Sequence, residues 1–145
     1  MSTSNDEARR GRAEELKETA SLLAVIPGGR ELLEWFGSVP EFGDGEVVSL
    51  VLDRAGQSRL SVRLEHLGKT AVIGFELGPW IDVALRGFSD QNVIGGLKLR
   101  RPGDRKIEPW EIGVGCKPGD VEIELEPCFG AYGCIRANIS AITLT

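Results

Sequence analysis

The chain reads as mostly β: an antiparallel β-sandwich or partly open barrel of about eight strands, with a short N-terminal helical element packed on it. Three observations predict this. From Glu46 onward, apolar residues alternate with polar ones in run after run, which is the period of a strand with one covered face. The runs recur at a spacing of roughly 8–12 residues, with Gly, Pro, Asn and Asp clusters between them. The 19 glycines fall mostly between apolar runs, where tight turns use them.

At 145 residues the chain is long enough for one self-sufficient core. Its 41% hydrophobic and 27% charged residues suit a globular protein rather than a disordered one. Residues 1–20 are expected to be a frayed helix or tail, and residues 21–145 a single β-rich domain. Ser4 stands three before Glu7, a capping-box spacing. Gly11, however, costs ~1 kcal/mol inside a helix, and Ala8, Ala13, Leu16 and Ala20 make a thin apolar face. Leu22, Leu23, Val25 and Ile26 are a stronger cluster, stopped by Pro27-Gly28-Gly29.

Leu32, Trp35 and Phe36 stand at i, i+3 and i+4, which predicts a short helix over 30–36 with Gly37 just past its end. Trp35 and Phe36 are expected to anchor that helix, so that removing the Trp35 ring would leave a costly cavity. Pro40 and Phe42 then redirect the chain. Asp44 is expected to cap the turn into the first strand, with Glu46 in water. Strand 46–52 is apolar on both faces, and Leu60, Val62 and Leu64 alternate with Ser61, Arg63 and Glu65. Gly78-Pro79 reads as a turn between two strands, 70–77 and 80–87. After the polar loop 88–92, Gly95-Gly96 inside 93–101 suggests a bulge or a close backbone approach. Strands are also expected over 108–116, 121–126 and 134–144.

The formal charge is −5, with a sequence pI near 5.0. A nucleic-acid binder needs a basic face, and the chain offers one short basic run, Arg100-Arg101 with Arg105-Lys106. No run approaches the ~18 apolar residues of a membrane span. The polar start MSTSNDEARRGRAEEL lacks a signal-peptide apolar region, so the expected location is cytoplasmic, without nucleic-acid or membrane partners. Cys116, Cys128 and Cys134 lack a C-x-x-C pair and read as free, buried thiols rather than zinc ligands; Cys128 and Cys134 could bridge a hairpin if oxidised.

No catalytic set assembles, so neither an enzyme nor a cofactor is expected. The sole histidine, His66, ends a strand without a second ligand or a carboxylate on its face. Gly113-Val114-Gly115 is followed by no phosphate-loop Lys. Glu122, Glu124 and Glu126 put three like charges on one strand face, which must be open to water or answered by cations. That ladder suits an edge-strand guard or a docking face for a basic partner. Trp35, Trp80 and Trp110 could alternatively line a concave pocket, as in a small-ligand or carbohydrate-binding β-module.

Leu33-Glu34-Trp35-Phe36-Gly37, followed by Pro40-Glu41-Phe42-Gly43-Asp44-Gly45-Glu46-Val47 running into a strand, resembles the immunity protein 50 family of bacterial polymorphic-toxin systems. The segment Phe88-Ser89-Asp90-Gln91-Asn92-Val93 and the turn Gly130-Ala131-Tyr132-Gly133 match in the same order, so that the resemblance covers roughly residues 32–145. Gly43 stands where relatives are expected to carry a His beside the acidic residue, which speaks against a metal or catalytic role at this corner. The resemblance implies a non-enzymatic protein that binds and neutralises a cognate toxin in the producer's cytoplasm. The expected partner is a protein toxin with a basic surface, and a homodimer is left open. The expected contact residues are Glu122, Glu124 and Glu126 with Asp90, Gln91 and Asn92. Trp35, Phe36, Pro40, Phe42 and Asp44 are expected to be structural.

Overall fold

The N-terminal segment expected to fray is a continuous helix, α1 (Thr3–Val25). It runs through Gly11 and past the expected boundary at residue 20. The computed structural model describes residues 3–53, 55–101 and 120–145, without the side chains of 3–5, 79 and 80. The expected strand 108–116, with Trp110 and Cys116, lies outside the described residues. The second half of α1 explains its persistence: Thr19, Leu22 and Leu23 are buried, whereas residues 6–14 are exposed. Packing at one end holds the whole helix, as tertiary contact does for most helices.

The turn after α1 is stitched to the sheet, with Ile142 N–H donating to Pro27 O at 2.7 Å. Gly28 takes φ 90°, and a Cβ there would lie 1.9 Å from Ile142 O, so only glycine fits. Helix α2 (Gly29–Phe36) follows, ended by Gly37 at φ 80° with its N–H on Leu33 O, as expected. Leu32 and Phe36 fill its core face. Trp35 does not anchor that core: it is 40% exposed. On so short a helix, Leu32 and Phe36 at i and i+4 take the buried face, and Trp35 lies beside it. The Trp35 ring stands edge-on to Phe36 at 5.0 Å, with Lys69 Nζ 5.2 Å from its centroid.

Six described strands form one antiparallel sheet: β1 (Glu46–Val51), β2 (Ser58–His66), β3 (Lys69–Arg86), β4 (Gly96–Arg100), β5 (Val121–Glu126) and β6 (Tyr132–Leu144), in the order β1-β2-β3-β6-β5-β4. The sheet curls into a half-barrel with α1 packed on it. The mostly-β prediction is borne out, with one difference in β3. Gly78-Pro79 is not a hairpin turn but an interruption inside an 18-residue strand. The pairing with β6 skips from Leu77 to Ile81, and Pro79, which has no N–H to donate, falls within the skipped pairs. Leu60, Val62, Ile73, Phe75, Leu99, Ile123 and Ile135 line the buried face together with Leu32 and Phe36.

The segment 92–95 ties the first strand to the far side of the half-barrel. Val47 N–H donates to Asn92 O at 2.8 Å, and Ile94 N–H to Gly45 O at 2.8 Å. On its other flank, Val93 and Phe129 exchange N–H···O bonds at 2.7 and 2.9 Å. Gly95-Gly96 is the expected close approach: a Cβ on Gly95 would lie 2.9 Å from Pro127 O. Asp44 serves this junction through its backbone, not as a side-chain cap. Its φ is 62°, its N–H reaches Ile94 O at 3.0 Å, and its side chain is exposed. The left-handed conformation, which Asp tolerates well, takes the role expected of its carboxylate. Pro40 and Phe42 are buried here, consistent with their expected part in redirecting the chain.

Candidate functional site

The glutamate ladder lies inside the sheet's charge pattern. Strand β5 is flanked by β6 and β4, so it is not the edge strand that the guard reading requires. In register across four strands stand Asp82, Arg136, Glu122 and Arg100, alternating in sign. Arg136 Nη2 is 3.2 Å from Asp82 Oδ2, and Arg100 Nη2 is 3.0 Å from Glu122 Oε1 and 3.3 Å from Glu124 Oε2. One row along, Lys98 Nζ sits 3.3 Å from Glu126 Oε1 and 2.6 Å from Glu15 Oε2 on α1. Glu18, a turn further on α1, lies 3.8 Å from Arg101. The Glu122 side chain is only 3% exposed.

Desolvation alone would lower the pKa values of these cations. Glu15 and Glu126 outweigh it at Lys98, and Glu124 and Glu122 outweigh it at Arg100, so both are raised. The ladder is therefore answered from within. The expectation that Glu122, Glu124 and Glu126 form a docking face gains no support from their charge, because side chains of β4 already oppose it.

Two cavities flank this network. One, of about 310 Å3, has Arg100, Glu122, Glu124, Tyr132 and Cys134 among its walls. The other, of about 410 Å3, lies between α1 and β4 and is walled by Arg12, Glu15, Thr19, Glu41, Lys98 and Glu126. No histidine is among the described walls of either. His66 Nε2 is 3.0 Å from Ser38 Oγ, and its ring meets Phe36 edge-on at 5.7 Å, so its part is to join α2 to β2. Cys128 is exposed rather than buried, Cys134 is half-buried, and neither is in a disulfide. Among the described residues, no group of three or more His, Cys, Asp or Glu could hold a metal ion.

At one end of the half-barrel, two turns lie side by side, 88–92 and 128–132. Asn92 joins them: its Oδ1 accepts Ser89 N–H and Ala131 N–H, each at 3.0 Å, while its Nδ2 donates to Ser89 O at 3.0 Å. Ser89 Oγ donates to Gln91 O at 2.6 Å and accepts Gln91 N–H at 3.2 Å. The first turn is thus pinned to itself, to the second turn and, through Asn92 O, to β1. Gly130 at φ 92° lets the turns touch, since a Cβ there would lie 2.4 Å from Gln91 O. Phe88, Phe129 and Tyr132 project from this frame, 49%, 57% and 39% exposed. Asp90 and Gln91 are exposed beside them.

No family model, curated protein or solved structure matches this chain. The resemblance to the immunity protein 50 family therefore stands on its motifs, and the surface is read by its own chemistry. Of the expected contact residues, Asp90 and Gln91 are exposed, Asn92 is the latch that fixes their turn, and the three glutamates are ion-paired across the sheet. Sequence reasoning passed over Phe88, Phe129 and Tyr132. Their signal was there: aromatic residues set in glycine-bounded turns, outside the alternation that fills a core. No helix among the described residues is long and apolar enough to cross a membrane.

Proposed function

We propose that the chain is an immunity-type binding protein that neutralises a cognate protein toxin without enzymatic action, in the cytoplasm of the cell that makes it. The observation that carries this reading is the set of exposed aromatic rings on two turns whose backbone Asn92 has already fixed. Exposed aromatics on a rigid frame supply large contact area with little ordering cost, and they dominate interface energetics. Asp90 and the overall charge of −5 favour a basic partner and a fast, salt-sensitive approach. The motif resemblance supplies the class of partner. Co-expression with the toxin encoded beside this chain tests the proposal, with cell survival and gel filtration of the complex as readouts. Rescue is expected, and Phe88→Ala with Phe129→Ala should weaken binding by roughly 30-fold or more. Both residues are half-exposed, so the double variant should keep its fold. Unrelieved killing with no complex formed contradicts the proposal.

A small-ligand module is the second reading, favoured by the cleft of about 410 Å3 between α1 and β4. Its described walls hold no aromatic platform, and Trp35 stands over Lys69 rather than in any described cavity. The cleft therefore suits a small charged or polar molecule better than a sugar. Calorimetric titration with such ligands would separate this reading from the first.

A further inference from the structure

The described sheet has two edges, and only one is closed. At β4, Thr19 of α1 reaches the edge backbone: its Oγ1 accepts Leu99 N–H at 3.1 Å and donates to Leu99 O at 3.5 Å. A buried helix residue thus takes the place of a neighbouring strand. At β1 the protection stops early. Asn92 O takes the Val47 N–H on the outer side, and the register then shifts by one residue between Val47 and Ser49. Further on, Asp53 N–H turns back toward β2 and donates to Ser58 Oγ at 3.0 Å. Between these two fixed points the strand alternation leaves the N–H and C=O groups of Leu50 and Leu52 facing outward.

Natural edges are blunted by charge, proline or a cover. The stretch 47–52, VVSLVL, has neither charge nor proline. Val48, Val51 and Leu52 on it are 38%, 49% and 54% exposed. An open edge that is neutral, apolar and unguarded is one fitted to be paired.

We infer that this edge binds the β1 edge of a second copy of the chain, antiparallel, about a two-fold axis at Val51. The register follows from the geometry. With the axis at Val51, Leu50 of each copy lies opposite Leu52 of the other, and these are the residues whose N–H and C=O groups face outward, so each pair exchanges both bonds. Leu50, which is paired with Leu60 on the core side of β2, then meets the second copy's Leu52 on that same face. Val51, paired with Arg59 on the other face, meets itself. Ser49 falls opposite Asp53, so no like charges are opposed. A two-fold pairing of this kind closes on itself and does not propagate into a fibre. The contact is short, so the dimer belongs at the weak end of specific interfaces. It uses the 50–52 stretch of the edge, beyond Val47 where Asn92 of the 88–92 turn is bonded, and does not depend on toxin binding.

Sedimentation of the full chain over roughly 1–200 µM tests this, since mass action makes a weak dimer concentration-dependent. A monomer–dimer equilibrium is expected. Val51→Lys sets two ammonium groups opposite each other at the axis and should weaken it roughly tenfold or more. Val51→Glu should do the same alone, and an equimolar mixture of the two variants should dimerise again, because Lys then faces Glu. Unchanged thermal midpoints would show that both variants are folded, as substitution of a half-exposed residue predicts. A chain monomeric throughout the range overturns the inference. So does a dimer indifferent to Val51→Lys, or an edge that pairs only when a strand of the toxin is added.

Discussion

The Glu122–Glu124–Glu126 ladder and the paired turns 88–92 and 128–132 are both polar stretches that a partner could contact, yet the fold uses them oppositely. In the ladder, each carboxylate meets a cation from β4 at 3.0–3.3 Å, and Glu122 is almost wholly buried. In the turns, the polar side chains of Ser89 and Asn92 hold the backbone and leave Phe88, Phe129, Tyr132 and Asp90 outward. An acidic run is an acidic surface only if the neighbouring strand does not answer it. Strand alternation says which way a charge points, and the neighbouring strand decides whether it stays available.

The comparison breaks most visibly at Glu122. Glu122→Ala should cost roughly 2 kcal/mol in urea unfolding, because it removes a buried carboxylate from the row, while half-exposed Arg100 keeps Glu124 and Arg136 keeps Asp82. A loss below about 1 kcal/mol would mean that the row is a solvated surface after all. Asn92→Ala comes next, with an expected loss of about 1–2 kcal/mol for the hydrogen bonds that join the turns. If the proposed function holds, it should also weaken binding of the toxin partner, because the aromatic frame would no longer be fixed in advance. If affinity stayed unchanged, the frame would have to be held by something other than Asn92.

Much of the architecture could be read from residue patterns, and the failures share a cause. Strands β2 and β5 show plain alternation, and helix α2 ends at Gly37 where its glycine requires. Gly78-Pro79 misled because a dipeptide that usually turns the chain can also sit within skipped pairs of a long strand. Trp35 and Phe36 are adjacent and both aromatic, and spacing alone could not say which ring the sheet would cover. Helix α1 looked weak because its grip is polar in part, through Thr19 to Leu99 and Glu15 to Lys98, and an apolar-face reading does not register ion pairs. The ladder's requirement for cations was legible. Their source in Lys98 and Arg100 was not, because pairing between β4 and β5 is set by the tertiary fold and not by local sequence.

The central claim, that the ladder holds the fold while the turns are free for a partner, is tested most directly by a double-mutant cycle at Arg100 and Glu122. Urea unfolding of wild type, Arg100→Ala, Glu122→Ala and the double variant isolates the energy that couples the two side chains. A coupling of about 1 kcal/mol is predicted for an in-register pair that joins a buried carboxylate to a guanidinium 38% exposed. A coupling near zero would contradict the account and return the glutamates to the surface as candidates for the docking face.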